Sequence, residues 1–272
     1  MSARTETARL TTRDLQHLKR QGEKIAMLTA YDHVMAGLLD DAGIEMILVG
    51  DSLGNVVLGH ETTLPVTLED MIRHAGAVYR GTHRALVTVD MPFGTAGDPE
   101  TALRNAVQIL QKTGCQAVKI EGGAAMAPTV ARLVGQGIPV MGHIGLTPQA
   151  VHQLGGYYRH GKSGPAAQTL IDAALALQDA GAFAVVLEML VPDLAGDITR
   201  LLDIPTIGIG SGSDCSGQVL VVNDLIGLNS GRVPSFVHPK ADVAAVIRQA
   251  VGEYITEVKA TQPAKAKGRA IA

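Results

Sequence analysis

ALVTVDMPFGTAGDPETALRNAVQILQKTGCQAVKIEGG, residues 85–123, holds the alternation on which the fold turns. A short β-branched run, ALVTVD (85–90), ends on a carboxylate; a turn and a stretch of helical period (99–113) follow. Lys112-Thr113-Gly114 then reads as a helix stop, and a second β-rich run (116–120) ends against Glu121. Val, Ile and Thr suit strands because a branched Cβ packs well on a pleated surface. Apolar residues at i, i+3 and i+4 give a helix one face to bury, and a glycine after the last turn takes the left-handed backbone that ends it. The unit is strand, helix, strand, the connection that parallel strands require.

The same alternation extends both ways. Strand-like runs precede it at 25–29 (IAMLT) and 45–50 (EMILVG), and follow it at 138–142, 183–188, 204–209 and 218–222. Helical spacing occupies 67–79, 124–136 and 165–180, with Leu68, Met71, Ile72, Ala75 and Val78 on one face of the first. Asp41-Ala42-Gly43 and Asp179-Ala180-Gly181 are further stops. Eight strands alternating with helices predict a closed (β/α)8 TIM barrel, with an open doubly wound sheet as the competitor. The 272 residues fit one barrel domain, which takes about 250. Residues 1–10 and 259–272 are expected as flexible tails.

Composition narrows the function. Hydrophobic residues make up 46% and charged ones 18%, and mean hydropathy is +0.19. No apolar run approaches the roughly 18 residues that span a bilayer, so no membrane is expected and the apolar surface must be buried within or between subunits. With three Phe, five Tyr and no Trp, the core is aliphatic, as suits parallel strands covered on both faces. A net charge of −3 carries no footprint for nucleic acid. Cys115 and Cys215 lie 100 residues apart without C-x-x-C spacing, which fits a reducing cytoplasm better than a disulfide framework. The N-terminus shows no apolar secretory segment.

The polar residues fall at strand ends. Asp51 follows MILVG, Asp90 closes ALVTVD, Glu121 follows AVKI with Lys119 two residues before it, His143 follows PVMG, and Glu188 ends AVVLE. In a parallel barrel these ends share one face, where barrel enzymes carry their chemistry. Singly, each has a plainer reading: an Asp after a strand caps the next helix, a His is hydrogen-bonded structure, a Lys snorkels outward. Together they weigh differently. Three carboxylates held close repel one another, and a hard cation resolves that conflict, oxygen ligands favouring Mg2+ over zinc. Gly208-Ile209-Gly210-Ser211-Gly212 lacks the full dinucleotide fingerprint and reads as a turn after the seventh strand.

VGDSLG (49–54), TLPVT (63–67), DMPFG (90–94), VKIEGG (118–123), GHIGLTPQ (142–149), IGIGSG (207–212) and GQVLV (217–221) stand in an order that resembles the ketopantoate hydroxymethyltransferase family, over residues 10–258. The resemblance implies a (β/α)8 barrel of the phosphoenolpyruvate/pyruvate-binding type assembled as a homo-oligomer, typically a decamer. It implies one-carbon transfer from 5,10-methylenetetrahydrofolate to 3-methyl-2-oxobutanoate, giving 2-dehydropantoate for pantothenate and coenzyme A synthesis. It makes Asp51, Asp90 and Glu121 the Mg2+ residues, and Ser52 and Lys119, with the two aspartates, contacts to the keto acid. Glu188 matches the family's proton acceptor, and His143 is given a supporting hydrogen bond to substrate or to Glu188.

The chemistry agrees with these roles. Removing the C3 proton of a 2-oxo acid leaves negative charge on the keto oxygen, and a divalent cation would stabilise that enolate. The chain departs from the family pattern at Ser216, Asn223-Asp224, Arg73, Ala75, Gly76 and Tyr158, none in the carboxylate cluster. Two other functions compete: a lyase or mutase using the same cation without folate, and a barrel kept as a non-catalytic binding protein.

Overall fold

The computed structural model describes residues 8–229 and 233–261. In chain order these form α1 (Thr12–Gln21), β1 (Ile25–Thr29), α2 (His33–Asp41), β2 (Met46–Val49), α3 (Leu53–Val56), α4 (Leu68–Gly81), β3 (Leu86–Asp90), α5 (Pro99–Thr113), β4 (Ala117–Glu121) and α6 (Ala127–Val134). They continue as β5 (Val140–Gly145), α7 (Val151–Leu154), α8 (Gly164–Asp179), β6 (Ala184–Glu188), α9 (Pro192–Leu201), β7 (Thr206–Ile209), β8 (Gly217–Leu220), α10 (Val222–Leu225) and α11 (Val243–Ala260). The strands pair in sequence order, all parallel, and β8 closes on β1. The barrel was the right choice over the open sheet.

Local chemistry sets the helix starts. Asp98 accepts from the N–H groups of Glu100 and Thr101 at the head of α5, with Pro99 in the first turn. Thr67 and Asp70 form a reciprocal capping box at the head of α4, satisfying donors that the helix itself leaves free. Asp32 and Ser163 cap α2 and α8.

The chain divides into two compact units, one reaching to Val222 and one beginning at Asn223. The first contains all eight strands. Its core runs through the barrel: Met27, Met46, Leu48, Leu86, Met141, Val186, Ile207 and Val219, with Leu15 of α1 against them. β2 to β5 are buried on both faces, as expected for parallel strands, up to the last residue of each barrel mouth. β1 and β8 differ: Ala26 and Gln218 face outward and are exposed. In the second unit, Lys240, Val243 and Ala244 donate backbone hydrogen bonds to Leu225, Ile226 and Gly227. Asp242 caps α11 through Ala245 N–H, and α11 buries none of its residues.

The first described residues are held by contacts to the barrel. Leu10 N–H donates to the Arg84 carbonyl at 2.7 Å, and the Arg9 guanidinium lies 4.4 Å over the Tyr79 ring. Residues 8–10 are therefore tied to α4 and the segment after it. At the other end α11 carries the chain through Lys259 to Ala260, because its helical pattern continues past the basic residue. Residues 1–7 and 262–272 lie outside the described residues.

Candidate active site

Strand register assembles the site. Asp90 is the cross-strand partner of Lys119, Glu121 of His143, and Gly145 of Glu188. Asp51 follows β2, and its backbone N–H donates to Asp90 Oδ2 at 3.0 Å. All six polar residues therefore meet at the C-terminal ends of β2 to β6. Neither Asp51 nor Asp90 caps a helix: no side-chain capping bond is made at the head of α3, and α5 uses Asp98.

Lys119 is the hub. Its Nζ lies 3.0 Å from Asp90 Oδ1, 3.6 Å from Glu121 Oε1 and 3.1 Å from His143 Nδ1. The side chain is buried. Burial opposes its charge, but Asp90, Glu121 and Asp51 together outweigh that and raise its pKa. It is a buried cation, not a snorkelling one. Burial pushes Asp51 up to about 8, with Asp90 and Glu121 adding to the shift. Burial likewise raises Asp90. Glu121 goes the other way: burial opposes its charge, but Lys119, then His143 and the Gln149 N–H hold it at about 2. One ammonium thus satisfies part of a cluster that holds more negative charge than it can balance.

His143 bridges to the far side. Its Nε2 lies 3.1 Å from Glu188 Oε2 but off the line of a good hydrogen bond. Burial and the Lys119 charge oppose a second proton on the ring, yet Glu121 and Glu188 carry its pKa up to about 9. Its Nδ1 sits between the Lys119 ammonium and Glu121 Oε1, 3.4 Å away, while Nε2 faces Glu188. Ser52 accompanies Asp51 at the mouth, its hydroxyl 2.9 Å from Tyr31 Oη. Gly50 gives it room: a β-carbon there would lie 2.9 Å from Ser52 Oγ and 3.5 Å from Asp90 Oδ2.

Gln149 belongs to the site as well, and the sequence reading assigned it no role. Its Nε2 donates to Asp51 Oδ2 (2.8 Å) and to the Met91 carbonyl (3.0 Å), while its backbone N–H donates to Glu121 Oε2 (3.0 Å). An amide in a loop has no periodic signature; only its place in GHIGLTPQ hinted at it. Beside Gln149 opens a cavity of about 380 Å3, whose lining includes Leu64, Phe93, Glu121, Thr147, His152 and Gln153.

A donor set of carboxylates alone suits a hard divalent ion. Asp90 Oδ1 is buried with no well-directed hydrogen bond, and burial, with Asp90 and Glu121 beside it, disfavours the charged form of Asp51. Both would be relieved by a cation. Among the described residues, however, no three Asp, Glu, His or Cys side chains converge as a ready set of ligands. Glu121 spends its oxygens on Lys119, His143 and Gln149.

The family model of ketopantoate hydroxymethyltransferase matches residues 9–265. The chain belongs to this family. It is 54% identical over 251 residues to 3-methyl-2-oxobutanoate hydroxymethyltransferase of Chloroflexus aurantiacus, covering 92% of this chain and 89% of the relative. It is 52% identical over 260 residues to the enzyme of that name from Syntrophus aciditrophicus, covering 95% and 96%. The chain is thus a hydroxymethyltransferase acting on 3-methyl-2-oxobutanoate.

Solved structures carry the same fold at low identity. 2,3-Dimethylmalate lyase, a member of the PEP mutase/isocitrate lyase superfamily, matches with a TM-score of 0.61 at 15% identity, over 95% of this chain and 90% of the other. Phosphonopyruvate hydrolase, solved with oxalate and Mg2+, matches with 0.61 at 11% identity, over 91% and 86%.

Most of the family departures fall away from the cluster. Ser216 ties β8 to the start of β7 through Thr206, with Thr206 N–H donating to its Oγ. Arg73 pairs with Glu69 and Asp70 on the exposed face of α4, Ala75 and Gly76 are buried in the same helix, and Tyr158 stacks on His160.

Proposed function

We propose that the transfer begins with removal of the C3 proton of 3-methyl-2-oxobutanoate by Glu188, with Asp51 and Asp90 holding Mg2+ against the keto acid and methylenetetrahydrofolate giving the one-carbon unit. One observation carries this reading: a nearly buried cluster of carboxylates around Lys119 faces, across His143, a single partly exposed carboxylate. When bound, Mg2+ supplies positive charge where the keto oxygen becomes negative. Two protein carboxylates leave positions open for substrate oxygens, in keeping with the few ligands Mg2+ takes from proteins. Glu121 acts from behind, orienting Lys119 and Gln149.

The remaining steps fall to the chain's own groups. Lys119 and Ser52 hold the keto acid's carboxylate end. Glu188 takes the C3 proton, and the electron pair it leaves spreads toward the keto oxygen. His143 Nε2–H orients Glu188 and steadies its negative charge. The carbon nucleophile then attacks the methylene carbon of the donor as one C–N bond breaks onto nitrogen; water displaces the second nitrogen, leaving the hydroxymethyl group on the keto acid and releasing tetrahydrofolate, for whose ring system the cavity beside Gln149 has room. The product, 2-dehydropantoate, feeds pantothenate and coenzyme A synthesis. The folate-free lyase or mutase alternative shares the cation but not the family match or the need for a folate cavity.

Glu188→Gln is expected to slow exchange of the C3 proton in D2O by about 10²–10⁴-fold while leaving keto-acid binding intact. Exchange at the wild-type rate would remove Glu188 from the role of base. Turnover with both substrates is expected to cease with a chelator and return with Mg2+.

Self-association and a cytoplasmic setting complete the proposal. The outward faces of β1 and β8 and the apolar side of α11 are exposed, and burial of such surface against further copies would suit the family's decamer. Cys115 and Cys215 are buried free thiols, as a reducing compartment allows.

A further inference from the structure

We infer that Arg159 and Ser211 are positioning residues for Glu188, holding the backbone corner at 188–191 that aims the carboxylate at His143. The inference rests on the reading of Glu188 as the base.

Met189 is the one non-glycine residue with positive φ (53°) among the described residues. Such backbone is costly for a side chain and persists only where surrounding contacts over-determine it. It falls immediately after Glu188, where the chain leaves β6. A relaxation of Met189 to extended backbone would send the chain onward from Glu188 and break the contacts that hold residues 190 and 191 across the bend.

The corner is pinned at every turn. Leu146 N–H donates to the Glu188 carbonyl, Met189 N–H to the Ile209 carbonyl, His160 N–H to the Met189 carbonyl, and Val191 N–H to the His160 carbonyl. Two side chains supply what the backbone cannot. Ser211, fully buried, accepts from Leu190 N–H (2.9 Å) and donates to the Leu187 carbonyl (2.8 Å), so its hydroxyl spans the bend. Arg159 Nη1 donates to the Leu190 carbonyl (3.1 Å) and to the Gly210 carbonyl (2.8 Å), joining the ends of β6 and β7. A guanidinium donating to two carbonyls in a part-buried place makes stronger bonds than a neutral group would. The stitch lies at the C-terminal end of the strands, the face that carries chemistry rather than the one that carries stability. Displacement of a catalytic group by about 1 Å costs up to 10²-fold in rate.

The test uses full-length, Mg2+-supplemented enzyme and follows C3 proton exchange of 3-methyl-2-oxobutanoate by NMR, together with thermal unfolding. Arg159→Met and Ser211→Ala are each expected to lower the exchange kcat by about tenfold, with KM for the keto acid within about twofold. Arg159→Lys, which keeps a cationic donor, should recover most of the rate. In a Glu188→Gln background, Arg159→Met should cost nothing further, since the group it positions is gone. Unchanged kcat in both single variants, with Glu188→Gln inactive, would overturn the inference and leave the base in place. So would a fall in kcat matched by lower unfolding temperature and higher KM that lysine does not rescue, which marks a purely structural contact. Normal exchange in Glu188→Gln alone would instead overturn the base itself.

Discussion

At Gly145 a β-carbon would lie 2.2 Å from the Glu188 carbonyl oxygen and 2.3 Å from Leu190 Cδ1, and the residue's φ of 98° is unfavourable for any side chain. The end of β5 therefore passes the Glu188 corner closely only because residue 145 has no side chain. Gly145→Ala is expected to push the corner away from His143, cost about 1–3 kcal/mol in urea unfolding and slow C3 exchange. Wild-type exchange in that variant would show that the corner tolerates displacement. Met189→Val places a β-branched residue at φ 53° and is expected to destabilise by about 1–3 kcal/mol, whereas Met189→Gly should not. Equal unfolding midpoints for the two would mean that the left-handed backbone carries no strain. These two positions were invisible in the sequence, since a glycine in GHIG and a methionine after AVVLE look ordinary until two strand ends are brought together.

The head of α4 shows what an element contributes. Thr67 and Asp70 satisfy each other's exposed donors, and the Thr67 hydroxyl bond, against slight burial and helped by the Thr67 N–H, lowers the Asp70 pKa below its ordinary 3.8. A depressed folded-state pKa gives stability that is fully present above the unfolded value and lost as pH falls through the folded one. The α4 contribution should therefore hold at neutral pH and fade below about 3.8. Thermal unfolding of Asp70→Asn beside the wild type checks this: the gap seen at pH 7 should narrow as the pH falls below 3.8. A gap that widened in acid would reverse the sign. The helical spacing of 67–79 and 99–113 and the β-branched run at 85–90 had already placed α4, α5 and the strand between them, because helical and strand periods differ enough to be told apart along the chain.

Across the whole molecule the unpaired surface is the informative feature. Val246 and Tyr254 of α11 are 65% exposed, and Ile247, Val251, Ile255 and Val258 are exposed with them. A soluble chain rarely leaves so continuous an apolar stripe open. Light scattering on the purified enzyme is expected to give a mass several-fold above the 28.4 kDa of one chain. A Val251→Glu, Ile255→Glu double variant should reduce that mass. A monomeric wild type, or an assembly indifferent to both changes, would leave the stripe without this role. The strand runs legible in the sequence matched the barrel within three residues at either end. The surplus of apolar residues was legible too, but not which helix would carry it uncovered.

The order of strands and helices, the closed parallel barrel and the five strand ends that carry the polar cluster could be read from the sequence alone. They depend on local periodicity and on the rule that parallel strands present their C-terminal ends together. The ordered motifs added the family. What only the folded structure decided is which polar groups meet, because a cross-strand register pairs residues far apart in the chain. It set Lys119 between Asp90, Glu121 and His143, brought Gln149 onto Asp51 from 98 residues away, and turned Glu121 toward its neighbours. It also folded the chain sharply after Glu188, a bend whose partners, Arg159 and Ser211, come from other loops and leave no local signature.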